Sequence, residues 1–400
     1  MAVTFRHLHC SIICFKIHHK RMKKTIYTLG FLLLIILSSC HYRGSVTDAI
    51  FNGEIRYIDD SQKQVMHVTA RHLPLEGQYH GSIAVFDSLL ICSNPRLPNY
   101  NFNVFNIDTG EEIGSFLRRG VGPQDAVSAQ VDQLFKREND LMALVLGINE
   151  NRLFVWNITQ SVQQGVAVFD TIVEHSTRSY RCDRLWVRHI FFHTDSTLFA
   201  YVQGANLDFE GALVTTPFYE KRTLLTNELL GVYSAFTQDT VRRRSSQSPQ
   251  SRNSRLFFFS NDAMKPDGSK IVQAMTRIPQ INIIDTHTGE VVGYRQRGGR
   301  DFSNFNSMRD QRIFYSHPTT NNQFIFTTYA RGVSREVRPI RSNVIHVFDW
   351  YGRLWYELRA DRDFFQHWLC PVRNRLYTMC GDSDEVYYLD LNELNLRTPE

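Results

Sequence analysis

Short runs of apolar residues, each opened by an acidic or amide turn, recur along this chain at a nearly fixed spacing. The clearest run is Met264 to Thr276, MKPDGSKIVQAMT, an Asp-Gly turn followed by an apolar strand. Related runs are FDSLLICS from Phe86, ENDLMALV from Glu138, TDSTLFAYV from Thr194, TNNQFIFTTY from Thr320 and RNRLYTM from Arg373. Their turn residues are Asp87, Asp140, Asp195, Asp267, Asn321 and Asn374, and four of the five intervals between them are 53 to 55 residues. The interval from Asp195 to Asp267 is longer by one polar loop. A period of this length predicts a repeat architecture.

Each repeat has a second half, 16 to 28 residues past the first turn. These halves are FNVFNIDTGEEIGSF from Phe102, NRLFVWNITQ from Asn151, GALVTTPFYEKRTL from Gly211, INIIDTHTGEVVGY from Ile281, NVIHVFDWYGRLWYEL from Asn343 and EVYYLDLNEL from Glu385. Asp, Asn and Gly accept turn dihedrals that β-branched residues resist. The flanking Val, Ile, Phe and Tyr suit half-buried strands. Each period therefore holds two hairpins, about four antiparallel strands. Such a unit repeated radially is a propeller blade. The pattern predicts an all-β, six-bladed β-propeller. The last repeat is short of a strand, and Gln64 to Thr69, QVMHVT, reads as a strand ahead of the first repeat. An N-terminal strand is thus expected to close the last blade and remove an exposed edge.

The first 60 residues do not follow the pattern. Residues 1–40 hold six Lys or Arg and no acid. Met22-Lys23-Lys24 leads into the apolar run Tyr27 to Leu37 and then Leu37-Ser38-Ser39-Cys40. A basic start, a short apolar stretch and a small-residue exit describe a secretory signal, too short for a spanning helix. Residues 1–21 carry Cys10, Cys14 and four His. They read either as an imagined metal site or as an upstream segment preceding a true start at Met22, and the second reading suits the normally short basic region of a signal. The expected organisation is an upstream segment over 1–21, a signal over 22–39, a tether over 40–60 and the propeller over 61–400.

Charge changes once that leader is set aside. The full chain is +5, but without the six leader cations 39 basic side chains face 40 acidic ones. The basic balance is therefore no argument for nucleic acid binding, which needs a clustered basic face. Cys92, Cys182, Cys370 and Cys380 are too few for a disulfide framework in so large a domain. Apolar surroundings make buried free thiols the expectation for Cys92, Cys370 and Cys380.

Two stretches place arginines beside glycines: Arg118-Arg119-Gly120-Val121-Gly122-Pro123 and Arg297-Gly298-Gly299-Arg300. Such glycines let backbone approach an anion, or serve a blade-to-blade crossover needing positive φ. No helix follows them as a phosphate loop requires. Arg118, Arg119, Gly120, Gly122, Arg297 and Gly298 are candidate ligand or partner contacts. So are Arg242, Arg243 and Arg244, in the polar segment Val241 to Arg255, read as a surface loop between strands of one blade. Arg331 to Arg341 is a second basic insertion, between the hairpins of the fifth repeat.

Leu37-Ser38-Ser39-Cys40 matches the lipobox of bacterial lipoproteins. Together with six repeats, Pro266 to Ile271 (PDGSKI) and Arg118 to Ala126 (RRGVGPQDA), it resembles the TolB-like six-bladed propeller lipoproteins of the Gram-negative envelope. The second segment departs from that family's R-G-x-G-P-x-E-[FY] by having Asp125 and Ala126. The resemblance covers roughly Val65 to Leu391. It implies lipidation at Cys40 and a membrane anchor with no catalytic residues to carry over. By the sorting rules of such lipoproteins, His41 after Cys40 implies the outer membrane facing the periplasm.

Chemistry is sparse in the sequence. His189 and His193 in WVRHIFFH would share a strand face about 13 Å apart, too far for one metal. Core or half-buried histidines are expected there. Asp382, Asp384 and Glu385 form an acidic turn without calcium-loop spacing. No metal or cofactor is expected, and no hydrolase or phosphate-loop motif occurs. The 28 Phe and 17 Tyr are expected mostly between blades, where flat rings fill the wedge. Two readings remain: a non-catalytic envelope protein binding a protein or glycan on a ring face, and a lyase or hydrolase acting in the central channel. A convergent polar channel favours the second, and a broad charged or aromatic face the first.

Overall fold

The computed structural model describes residues 51–77, 79–148, 150, 152–174, 185–194, 196–204, 216–237, 258–299, 312–333, 342–380, 383 and 385–396. Three short strands come first: β1 (Glu54–Tyr57), β2 (Gln64–Val68) and β3 (Arg71–Leu73). Blade one follows with β4 (Ser82–Phe86), β5 (Leu89–Ser93), β6 (Tyr100–Asn106) and β7 (Glu112–Arg118). Blade two is β8 (Ala129–Arg137), β9 (Asp140–Gly147), β10 (Arg152–Asn157) and β11 (Val168–Glu174), with helix α1 (Ile158–Gln164) between its last two strands. Blade three is β12 (Leu185–Thr194), β13 (Thr197–Gly204), β14 (Phe218–Thr223) and β15 (Leu229–Tyr233). Blade four is β16 (Ser260–Met264), β17 (Lys270–Met275), β18 (Gln280–Asp285) and β19 (Val291–Arg295). Blade five is β20 (Ile313–Thr320), β21 (Phe324–Val333), β22 (Ser342–Asp349) and β23 (Leu354–Phe364). Blade six has β24 (Gln366–Cys370), β25 (Arg375–Met379) and β26 (Val386–Asp390).

The six recurring turns join the first and second strands of successive blades. Asp87 and Asn374 sit there at φ 52° and 50°, in the left-handed region that short polar side chains tolerate. In blade two the left-handed residue is Glu138, and Asp140 already pairs with Arg137 in the ladder. Asp195 lies outside the described residues. Asn157, expected to lead into a turn, instead caps α1: its side chain accepts from the Gln160 N–H at 3.0 Å, and Gly165 ends the helix at φ 70°.

An N-terminal strand does close the last blade, but it is Arg71–Leu73 and not the expected Gln64 to Thr69. β3 pairs antiparallel with β26 and supplies the fourth strand of blade six. β2, the QVMHVT strand, pairs parallel with β23 on the outside of blade five. β1 pairs parallel with β19 on the outside of blade four. Residues 51–60, read from their weak periodicity as tether, therefore belong to the propeller. Their side chains are mostly exposed, so no alternation marks them, yet Phe51 bridges to Phe236 and is buried. The segment from Val241 to Arg255, expected inside one blade, joins β15 of blade three to β16 of blade four, and it lies outside the described residues. So does 334–341, between β21 and β22.

Six apolar clusters hold the ring, and each sits between two neighbouring blades. Phe102 of blade one stacks on Trp156 of blade two at 5.4 Å, one of the interblade ring contacts that the aromatic content implied. The seam between blades six and one contains Leu73, Cys92 and Cys370. Cys370 is a buried free thiol, Cys380 a half-buried one, and the buried Cys92 donates from Sγ to the His80 carbonyl at 3.4 Å. Cys182 lies outside the described residues.

Candidate functional site

The first strand of every blade, β4, β8, β12, β16, β20 and β24, contributes to one cavity of about 510 Å³. Neighbouring first strands touch in turn around the ring, so the cavity is the central channel. Three of the six strands are bulged where they meet it. Asp132 is the extra residue of β8, between Val131 and Gln133. Arg188 is skipped beside His189 in β12. His317 and Pro318 are looped out of β20, with His317 at φ 48°. A bulge re-aims a side chain relative to strict alternation, and left-handed backbone in a histidine is strained.

Asp132 and His189 form a pair across blades two and three. The His189 Nδ1 lies 3.2 Å from Asp132 Oδ1. Asp132 Oδ1 also accepts from Gln130 Nε2 at 2.7 Å, and its Oδ2 accepts the Ile190 N–H at 2.9 Å. The carboxylate is thus fixed on three sides. It selects the tautomer with the proton on Nδ1 and leaves Nε2 as an acceptor. Burial alone would lower the His189 pKa, but the Asp132 and Asp262 carboxylates more than reverse this and raise it above 6.5.

Asp262 on β16 lines the same cavity. Its Oδ2 accepts from the Tyr219 hydroxyl at 2.6 Å. Its Oδ1 is buried and, among the described residues, has no hydrogen-bond partner. Burial pushes its carboxyl up to about 6, against the pull of His189 and the Tyr219 and Ser260 hydroxyls. Behind it runs a buried relay across blade four. Arg295 Nε donates to Gln280 Oε1 at 2.7 Å, Gln280 Nε2 to Asn282 Oδ1 at 2.6 Å and Asn282 Nδ2 to Gln273 Oε1 at 2.8 Å. Gln273 Nε2 then donates to the Tyr219 hydroxyl at 3.4 Å. Every donor points toward Asp262, so each bond polarises the next in favour of a negative charge at the channel end.

Two further histidines complete the wall. His367 is locked neutral: its Nδ1 meets Thr328 Oγ1 at 3.0 Å and its Nε2 meets the Phe326 carbonyl at 3.3 Å. Burial lowers it to about 3. His317, lowered to about 4 by burial and by His189, has a buried Nδ1 without a hydrogen-bond partner. His193 turns away from the cavity and packs on Phe199 and His287 at 5.3 and 5.8 Å. Among the described residues no group of three or more His, Cys, Asp or Glu is arranged to hold a metal.

The arginine–glycine stretches are elsewhere. Arg119 spends its guanidinium on the carbonyls of Leu97, Tyr100, Val127 and Asn94, at 2.9 to 3.0 Å. Gly120 and Gly122 lie against the chain's own Asp125 carboxylate, which would stand 2.6 Å from a Cβ on either. Arg118 is exposed at the end of β7. Exposed Arg297 lies over the Tyr57 ring at 5.0 Å, and Gly298 takes φ 67°. Cys40, Arg242, Arg243, Arg244, Asp382 and Asp384 lie outside the described residues. The channel left one faint trace in the sequence: consecutive polar residues, Asp132-Gln133 in β8 and Arg188-His189 in β12, break strict alternation, and Pro318 stands inside β20.

No family model matches the chain, and no curated protein matches it. Solved structures do. A DUF4221 family member from Bacteroides vulgatus is 12% identical, with a TM-score of 0.52, over 80% of this chain and 95% of that one. A calcium-binding protein, regucalcin, from Agrobacterium tumefaciens is 9% identical, with a TM-score of 0.42, over 82% and 95%. At 12% identity the likeness to the DUF4221 family member shows the fold alone.

Proposed function

We propose that this chain is an envelope lipoprotein of the TolB-like propeller type, anchored through Cys40, whose central channel takes a small polar ligand. His189, oriented by Asp132, is the general base in that channel, acting on a hydroxyl or water in a hydrolase or lyase reaction. The observation that supports this most is the Asp132–His189 pair, 3.2 Å apart on two strand bulges, with Nε2 left as an acceptor in a roomy cavity. A general base of this kind contributes about 10²- to 10⁴-fold to a rate. The lipobox and His41 support an outer-membrane location facing the periplasm.

The test is hydrolysis of 4-nitrophenyl acetate by wild type, His189→Gln and Asp132→Asn between pH 5 and 9. Wild type should accelerate the reaction with an inflection above pH 6.5, because the raised His189 must lose its proton to act. Both variants should fall by about 10²-fold or more. Equal rates in all three proteins would remove the catalytic role. The alternative would then stand, a non-catalytic adaptor for a protein or glycan.

A further inference from the structure

The cavity wall is unbalanced in charge. Among the described residues it is lined by Asp132 and Asp262 and by no lysine or arginine. Two carboxylates line the cavity against one imidazole, and the Arg188 guanidinium beside His189 offsets them only in part when His189 is neutral. His317 and His367 are held neutral by burial. With His189 neutral the described wall stays net negative, which disfavours an anionic ligand.

The wall is also incomplete in hydrogen bonds. Asp262 is 8% exposed, its Oδ1 is buried, and among the described residues that atom has no hydrogen-bond partner. Gln366, 7% exposed on β24, has a buried Nε2 with no acceptor. Leaving a buried polar atom unsatisfied is costly, and more so when it is charged. Both belong to residues that line the same cavity, so a ligand held there is a candidate partner for each. Phe86, Phe135, Phe191 and Trp368 supply aromatic wall, and ring faces attract cations.

We infer that the channel ligand is a small organic cation: an amine that donates to Asp262 Oδ1 and carries a hydroxyl or carbonyl acceptor for Gln366 Nε2. This rests on the channel-site reading above and deepens it. Asp262 is then the specificity-determining residue. The Tyr219 hydroxyl occupies its other oxygen, so the cation is directed to Oδ1.

The experiment uses two ring scaffolds, each in three charge states. The first set is glucosamine, glucose and glucuronate; the second is cyclohexylmethylamine, cyclohexylmethanol and cyclohexanecarboxylate. Binding to the full mature chain is measured by calorimetry at pH 7.5, for wild type, Asp262→Asn, Gln366→Met and His189→Ala. The amine of at least one scaffold should bind ten-fold or more tighter than its neutral and anionic counterparts. Asp262→Asn should erase that preference while neutral compounds bind as before. Gln366→Met should weaken the hydroxylated amine and leave cyclohexylmethylamine unchanged. Equal or tighter binding of the neutral or anionic members, still sensitive to His189→Ala, would overturn the cation inference and keep the channel site. Binding by no member of either scaffold would overturn both.

Discussion

Asp262 shows how one residue trades stability for a site. Its carboxyl titrates near 6 in the fold, against 3.8 for an ordinary aspartate. Folding therefore favours the protonated form. The associated stability is full below pH 3.8 and is lost as pH rises through about 6. That difference corresponds to about 3 kcal/mol. His317 and His367 act oppositely: kept neutral in the fold, they cost stability as pH falls below 6.5. The Asp262 contribution is isolated by difference. Asp262→Asn, whose amide oxygen still accepts from Tyr219, should match wild type in urea denaturation at pH 4 and exceed it by about 3 kcal/mol at pH 7.5. No gain at pH 7.5 would mean that Asp262 is not held as an uncompensated charge.

At the scale of elements, the N-terminal strap does the unexpected work. Residues 51–73 lace three blades in sequence, through β1 on β19, β2 on β23 and β3 on β26. Side chains reinforce the backbone ladders. Lys63 pairs with Glu357 at 3.0 Å, and the Ala70 N–H donates to Asp361 at 2.9 Å. Phe51 meets Phe236 edge-on at 6.1 Å and closes over Gly293, where an added Cβ would stand 2.9 Å from the Phe51 ring. Phe51→Ala should destabilise the protein by about 3–5 kcal/mol. Hydrogen exchange should speed first in β1 and β19, the ladder that this ring anchors. Uniform acceleration over all six blades would show that the strap is not a separable element.

For the whole molecule, the ring is only as strong as its six seams. The seam between blades six and one joins the two ends of the repeat array, and Leu73 of β3 packs in it with Val85, Tyr377 and Val386. Leu73→Ala should cost about 2–5 kcal/mol. Because the seam closes the ring, protection should fall in β24 to β26 and β4 together. A loss confined to blade six would argue that closure contributes little beyond its own contacts.

How much of this was legible follows from range. Alternating apolar residues and Asp, Asn or Gly turns are local instructions, so the six-blade count and the four-strand blade could be read from spacing alone, as could closure by an N-terminal strand, though not that β3 rather than β2 supplies it. The strap could not, because β1 and β2 are mostly exposed and owe their place to open edges that other parts of the chain supply. The channel site was least legible. Asp132, His189, Asp262 and Gln366 come from four blades and are neighbours only because the ring brings first strands together at its axis. Strand alternation also misreads a residue at a bulge, and Asp132, His189 and His317 sit at bulges. The sequence by itself determined the blades; only the tertiary structure decided what they enclose, because a channel wall is made of contacts between repeats, and a repeat's own pattern carries no record of its neighbour.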